Sequence, residues 1–254
     1  MDKKLKLQFT LAICLPLVLV FSFASASTPS ADFLFRQKTF YKVMELSRAE
    51  LKNLNENLNG LKTDKDSDYA KKKDEFLKKL SEFEIYDKEV EEEISKTKTV
   101  EDLKNLAVDF KNWREEAHNP QVQIMMNFSL ILKQKEILAT TTERFEKIEK
   151  DVKKLTDLGL EQKQQLNSLL DLAKNRLNLA NDSFQKAKTR LDDYLYATST
   201  LSTSTTSTST TSTSTTTEKQ FNNFEFQELI KESFEKIKEV YEIFLKMSGL
   251  ARKT

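Results

Sequence analysis

Residues that form turns are scarce in this chain, and their scarcity limits the folds it can adopt. The 254 residues include only three glycines and three prolines. Gly60, Gly159 and Gly249 each fall at or near the end of a periodic apolar segment, where a helix C-terminus favours the left-handed conformation. Because so few turns are available, the helices must be long. We predict an all-α fold: an elongated antiparallel helical bundle of coiled-coil hairpins with about six helices.

Apolar residues recur at alternating steps of three and four, the spacing of the narrow seam along which helices supercoil. The pattern predicts helices over about 32–59, 67–95, 99–118, 120–158, 160–196 and 224–248. The first seam comprises Phe40, Met44, Ser47, Leu51, Leu54, Leu58 and Leu61. The second comprises Tyr69, Phe76, Leu80, Phe83, Val90 and Ile94. The fifth comprises Leu166, Leu170, Ala173, Leu177, Ala180, Phe184, Ala187, Leu191 and Tyr194.

The third and fourth helices have a predicted boundary between them. Thr99 can cap the third helix, and Pro120 is expected to end it, because the residue before a proline avoids helical geometry. Asn119 is then expected to cap the fourth helix. That helix opens with residues 122–132, which are apolar around the whole axis and too few to span a bilayer. We expect this segment at the centre of the core.

The N-terminus has the features of a signal peptide, predicted over residues 1–26. Lysines precede an apolar run over residues 11–23, and Ala24-Ser25-Ala26 supplies the small residues that signal peptidase accepts. An uncleaved anchor is the alternative, since residues 7–26 reach the length of a membrane span. Cleavage would remove Cys14, the only cysteine, so no disulfide is expected. We predict an exported protein, either periplasmic, cell-surface or secreted.

The composition changes abruptly after the predicted bundle domain, residues 27–197. Residues 198–217 are Ser or Thr at every position except Leu201. A segment of this kind has nothing to bury, so we predict a disordered linker. A C-terminal domain, residues 218–254, follows as one amphipathic helix too apolar to persist alone in water. It must pack on the bundle, on a copy of itself or on a partner, and its predicted partner-binding face is Phe226, Ile230, Phe234, Ile237, Tyr241 and Phe244.

Few residues could support catalysis or hold a metal ion. No glycine spacing matches a phosphate loop or a nucleotide fingerprint, and His118 is the only histidine. As a general base, His118 would need an orienting acid and a nucleophile that the sequence does not identify. Asp64, Asp66, Asp68 and Glu75 imitate a calcium loop, but Tyr69 stands where the loop requires glycine. We therefore predict no catalytic residues, no metal and no cofactor.

These features favour a non-enzymatic structural or interaction protein that binds a protein partner or itself through coiled-coil surfaces and its tethered last helix. Charges balance, with 41 basic and 40 acidic residues, so neither nucleic acid nor, after signal cleavage, a membrane is an expected partner. One alternative is a small-ligand-binding or sensor-like bundle with a pocket beside residues 122–132. A third, more distant, hypothesis is a cell-wall hydrolase that uses a single glutamic acid.

Overall fold

The protein is described from a computed structural model, which covers residues 29–63, 67–155, 159–201 and 221–251. These residues form α-helices and one π-turn, with no strand among them, which confirms the all-α prediction. The helices are α1 (Pro29–Asn59), α2 (Asp68–Lys96), α3 (Val100–Trp113), α4 (Asn119–Lys154), α5 (Leu160–Leu201) and α6 (Asn223–Ala251), and the π-turn is Arg114–His118. The predicted signal peptide and residues 202–217 of the predicted linker lie outside the described residues.

Side chains stabilise two of the helix ends that the sequence predicts. The Thr99 hydroxyl accepts a hydrogen bond from the Asp102 backbone N–H at 3.1 Å, which confirms Thr99 as the cap of α3. After α1 ends, the Lys73 ammonium group donates to the backbone carbonyls of Asn59 at 3.2 Å and Leu61 at 2.8 Å. A cation at this position satisfies carbonyls that have no partner within the helix.

The predicted break before Pro120 is wrong. Trp113 and Asn119 both have right-handed helical dihedrals, and the Asn119 N–H bonds to the Arg114 carbonyl five residues earlier. Proline lacks an N–H and crowds the carbonyl four residues before it, and the wider π-turn accommodates both defects without ending the helix. Asn119 therefore caps nothing, and its side chain is free to bond elsewhere.

The chain divides into two compact units. Unit 1 contains Met1–Asn53 and Lys78–Gln121, and unit 2 contains Leu54–Leu77 and Val122–Thr254. In unit 1, α1 and α2 run antiparallel. A bidentate ion pair joins Arg48 to Glu91 at 2.8 and 2.9 Å, and Gln37, earlier in α1, bonds to the carbonyl of Ile94, later in α2. The core of unit 1 is formed by Phe40, Met44, Val90, Ile94, Leu103 and Phe110.

In unit 2, α6 runs antiparallel to α5 and parallel to α4. Ion pairs join Arg190 to Glu225 and Arg176 to Glu239, so position numbers rise along one helix as they fall along the other. From α4, Asn127 bonds to Asn223 and Gln134 bonds to the Ile230 carbonyl, and each pair is 96 residues apart. It follows that α4 and α5 run in opposite directions, as the hairpin prediction requires.

The predicted seams are largely correct, with three differences. All seven residues of the predicted first seam are buried, although Leu61 lies just beyond the end of α1, and the predicted seam of α5 is buried up to Leu191. Leu195, and not Tyr194, is the last buried position of α5, and Tyr69 of α2 is only half-buried. Helix α5 also continues to Leu201, so residues 198–201 of the predicted linker are helical.

Candidate functional site

The six predicted partner-binding residues lie on the face of α6 that packs inside unit 2. Phe226, Ile230 and Ile237 are buried, and Phe234, Tyr241 and Phe244 are half-buried. Ile243 takes the buried position for which the sequence favoured Phe244. In this conformation the face therefore packs against the chain's own helices, and its use by a partner stays a prediction.

The buried seam of α4 that includes its hydrogen bonds to α6 alternates between apolar and polar positions. The apolar positions are Ile124, Ile131, Leu138 and Phe145, and the polar positions between them are Asn127, Gln134 and Thr141. All seven side chains are buried. Every second place in a heptad seam is thus occupied by a group that needs a hydrogen-bond partner. We call these seven residues the α4 seam.

The polar members of the α4 seam meet α6 at three levels. The Asn127 amide donates to Asn223 Oδ1 at 2.9 Å. The Gln134 amide donates to the Ile230 carbonyl at 3.5 Å. The Thr141 hydroxyl donates to its own helix at Ile137 and lies 3.4 Å from the Tyr241 hydroxyl. A shift of α6 by one turn would separate the Asn127 amide from the Asn223 side chain, so this bond fixes the register of α6.

Helix α5 contacts α6 through a second set of residues. The Ser233 hydroxyl, fully buried, donates to the Ala180 carbonyl at 2.6 Å. Arg176 pairs with Glu239 at 2.7 Å near one end of the contact, and Arg190 pairs with Glu225 near the other. The alternating seam of α4 was not recognised in the sequence, although the seven-residue spacing of Asn127, Gln134 and Thr141 is visible there.

Unit 1 contains a second group of buried polar side chains, contributed by α1, α2 and the π-turn. Ser47, Asp87 and His118 are all fully buried. The predicted seam of α2 includes no residue between Phe83 and Val90, and Asp87 occupies that position. Neither Asp87 carboxylate oxygen has a hydrogen-bond partner among the described residues, and the same holds for Ser47 Oγ and His118 Nε2.

An ion pair and an aromatic contact surface border this group. Arg114 in the π-turn donates to Glu50 of α1 at 2.8 Å and lies 3.4 Å from Asn119 Oδ1. His118 Nδ1 bonds to the same Asn119 oxygen at 3.1 Å, which leaves Nε2 as the unprotonated nitrogen of the neutral ring. Ring centroids of Phe83 and Trp113 each lie 5.1 Å from the imidazole.

Burial shifts the pKa values of both ionisable groups toward their neutral forms. Burial raises the pKa of Asp87 to about 6, although the nearby Ser47 hydroxyl and the Arg114 and Arg48 guanidinium groups oppose the shift. The Ser47 hydroxyl faces the carboxylate without making a hydrogen bond of normal geometry. Burial also lowers the pKa of His118, and the positive charge of Arg114 adds to that effect.

The remaining sequence candidates have ordinary surroundings where they are described. Asp64 and Asp66 of the calcium-like segment lie outside the described residues, whereas Asp68 pairs with Lys71 and Glu75 pairs with Lys72. In the described part of the chain, no three His, Cys, Asp or Glu side chains are grouped as metal ligands. Of residues 122–132, Val122, Ile124, Met125, Phe128 and Ile131 are buried, as expected for the core.

Comparisons with protein-family models, with curated proteins and with solved structures find no match to this chain. The helices that the structure describes are each too short or too polar to cross a lipid bilayer. The two features of the molecule that bear on its function are the α6 contact surface and the buried polar group of unit 1.

Proposed function

We propose that this chain is an exported, non-enzymatic interaction protein whose helix α6 can leave its place on α4 and α5 to bind a protein partner or a second copy of the chain. The signal-like residues 1–26 support export. The observation that carries the proposal is the contrast between two features. The α6 contact is specific in register, yet the segment that joins α6 to α5 is much longer than the contact requires.

The start of α6 lies beside α5, about two turns before α5 ends at Leu201. Ring centroids of Tyr194 on α5 and Phe221 just before α6 are 5.2 Å apart, and the Arg190–Glu225 pair lies next to them. Antiparallel helices are commonly joined by about 2–5 residues. Here α5 continues past Tyr194 to Leu201, and residues 202–222 then join it to α6. The surplus length allows α6 to move away while it remains covalently attached.

The composition of α6 limits what it can do once detached. Its buried face includes Phe226, Ile230, Ile237, Val240 and Met247, and exposing this face to water is unfavourable. While the covalent connection is intact, the effective concentration of α6 near its own site is on the order of millimolar. A competing partner must therefore offer an equivalent seam, with apolar positions alternating with amide or hydroxyl groups as in the α4 seam.

Cleaving the Ser/Thr segment tests whether α6 is held by its contacts alone. A protease site placed near Thr210 would be cut in the purified chain and the products separated by size exclusion. We expect the α6 fragment to coelute with the rest of the chain, because the polar and apolar contacts remain after cleavage. Separation of the fragment would mean that the attachment, and not the contact surface, keeps α6 in place.

An exchange experiment then tests detachment itself. A fluorescent peptide of residues 221–251 is added to the cleaved chain, and its binding is followed by anisotropy. We expect the peptide to replace the native α6 fragment. A peptide with Ile237→Asp should fail, because it buries a charge. A peptide with Lys238→Asp, altered on the adjacent exposed position, should still exchange. Absence of exchange by the unaltered peptide would show that α6 is a permanent part of the core.

A further inference from the structure

Asp87 and His118 both lie in the interior of unit 1, and the charges of Arg114 and Glu50 act on both of them. Both side chains are fully buried. Among the described residues, no group donates to the Asp87 carboxylate oxygens or to His118 Nε2. Burying an ionised side chain without such partners is strongly unfavourable, so each group favours the neutral state while unit 1 is closed. For Asp87 that state has gained a proton, and for His118 it has lost one.

The charged groups that act on this cluster come from α1 and the π-turn, and α2 contributes Glu91 as the partner of Arg48. Helix α1 contributes Arg48 and Glu50, and the π-turn contributes Arg114. Each arginine is already bound to another carboxylate, Arg48 to Glu91 and Arg114 to Glu50. Because their charge is shared with those partners, the arginines do not fully compensate an ionised Asp87. Of these two ion pairs, the Arg114–Glu50 pair also places opposite charges near His118.

We propose that the buried Asp87–His118 cluster makes unit 1 a proton-responsive element, in which protonation of the two side chains shifts the opening of the unit in opposite directions. The proposal is independent of α6 exchange, since it concerns other residues in the other unit. The groups that bind and release protons are the carboxyl of Asp87 and the imidazole of His118.

The two directions follow from the protonation states. The Asp87 carboxyl has a pKa of about 6 in the closed unit and an unperturbed value of 3.8, so the closed unit holds an extra proton between these values. Asp87 therefore disfavours the closed unit increasingly as pH rises from about 4 to about 6. His118 has a lowered pKa, so it disfavours the closed unit as pH falls below its unperturbed 6.5. In the native chain the two effects partly cancel.

Two neutral substitutions separate these effects. Amide hydrogen exchange in unit 1 is measured on the full chain between pH 4 and 7.5, with intrinsic rates removed. Asp87→Asn should slow exchange at pH 7.5 by up to about a hundredfold, because a shift of about two pKa units is removed, and should approach the native rate near pH 4. His118→Gln should slow exchange relative to the native chain more at pH 5 than at pH 7.5.

A matched control is Asp109→Asn, which removes the same charge from an exposed position of α3. If this control slows exchange as much as Asp87→Asn does, the change in net charge causes the effect and the proposal fails. It also fails if either cluster variant changes exchange by the same factor at every pH, since that describes a purely structural role.

A measurement on the native chain does not depend on how the variants fold. His118 is the only histidine, so its imidazole gives one set of NMR signals. We expect those signals to remain those of the neutral ring as pH is lowered through 6.5. A titration centred at the ordinary histidine pKa would overturn the proposal, because it would show an imidazole that accepts a proton freely.

Discussion

Two buried serines illustrate how the same residue type can have different effects at the scale of a single side chain. Ser233 on α6 donates to the Ala180 carbonyl on α5 at 2.6 Å, so its hydroxyl joins two helices. Ser129 on α4 donates to the Met125 carbonyl of its own helix at 3.0 Å. Bonds of the second kind compete with the helix backbone and tend to bend the helix slightly. The contribution of each hydroxyl to the free energy of unfolding therefore depends on whether its acceptor lies on another helix or on its own.

Alanine substitution should separate the two cases. Ser233→Ala removes a bond between helices, and we expect the free energy of unfolding to fall by about 1 kcal/mol. Ser129→Ala should leave it unchanged or raise it by a few tenths of a kcal/mol, since alanine has the higher helix propensity. Urea denaturation of both variants at one pH provides the comparison. Equal losses would mean that the Ser233 bond has no special role in holding α6.

At the scale of the helix, the α4 seam specifies one arrangement over others. A wholly apolar seam would bury more hydrophobic surface but would tolerate several registers and several numbers of associated helices. Asn127 and Gln134 give up some of that burial. The Asn127 amide needs Asn223 at one position on α6, whereas the Gln134 amide donates to the Ile230 carbonyl and its oxygen has no partner among the described residues. Their contribution is to uniqueness more than to stability.

Replacing both amides with leucine tests this interpretation. We expect Asn127→Leu with Gln134→Leu to retain the helical signal and to unfold at the same or a higher urea concentration, while losing its single defined state. The loss should be seen as self-association in light scattering and as broadened amide resonances. Asn181→Leu with Gln185→Leu, at exposed positions of α5, controls for added leucine surface. A monomeric, sharply resolved double variant would contradict the assigned role of the α4 seam.

At the scale of the whole molecule, surface charge is arranged mainly in pairs within helices. Lysine side chains bond to glutamates three or four residues away and so lower the pKa values of Glu45, Glu82, Glu143, Glu149 and Glu239. A carboxyl with a lowered folded-state pKa stabilises the fold above its unfolded value and loses that contribution as pH falls through the folded value. Each exposed pair contributes little, so the effect is collective.

The thermal midpoint, followed by circular dichroism, should therefore fall as pH is lowered below about 4.5, the unperturbed glutamate pKa. This direction is opposite to that expected for Asp87. Glu143→Gln with Glu149→Gln should weaken the acid dependence, because two of the paired carboxyls are lost. Glu235→Gln is the control, since Glu235 has no ion pair in the described part of the chain. A midpoint that stays constant from pH 7 to pH 3 would contradict this account.

Local pattern was sufficient to predict the helices. Scarce glycine and proline required long helices, and the three-and-four spacing located seam residues such as Met44, Leu58 and Ala180. These features depend on residues close together in the chain, so the sequence alone determines them. The same reasoning failed at Pro120, because the sequence rule for proline does not anticipate a π-turn that absorbs the missing N–H.

The candidate sites depend on contacts between distant residues, and only the tertiary structure decided them. The sequence marked the α6 face as apolar, but an apolar face is compatible with its own bundle, a copy or a partner. Its packing on α4 and α5 follows from pairs 96 and 53 residues apart. Likewise, the sequence does not distinguish Asp87 from other acidic residues, whereas the fold buries its carboxyl and raises its pKa. Helix formation is a local property, whereas register, burial and charge environment depend on which surfaces meet.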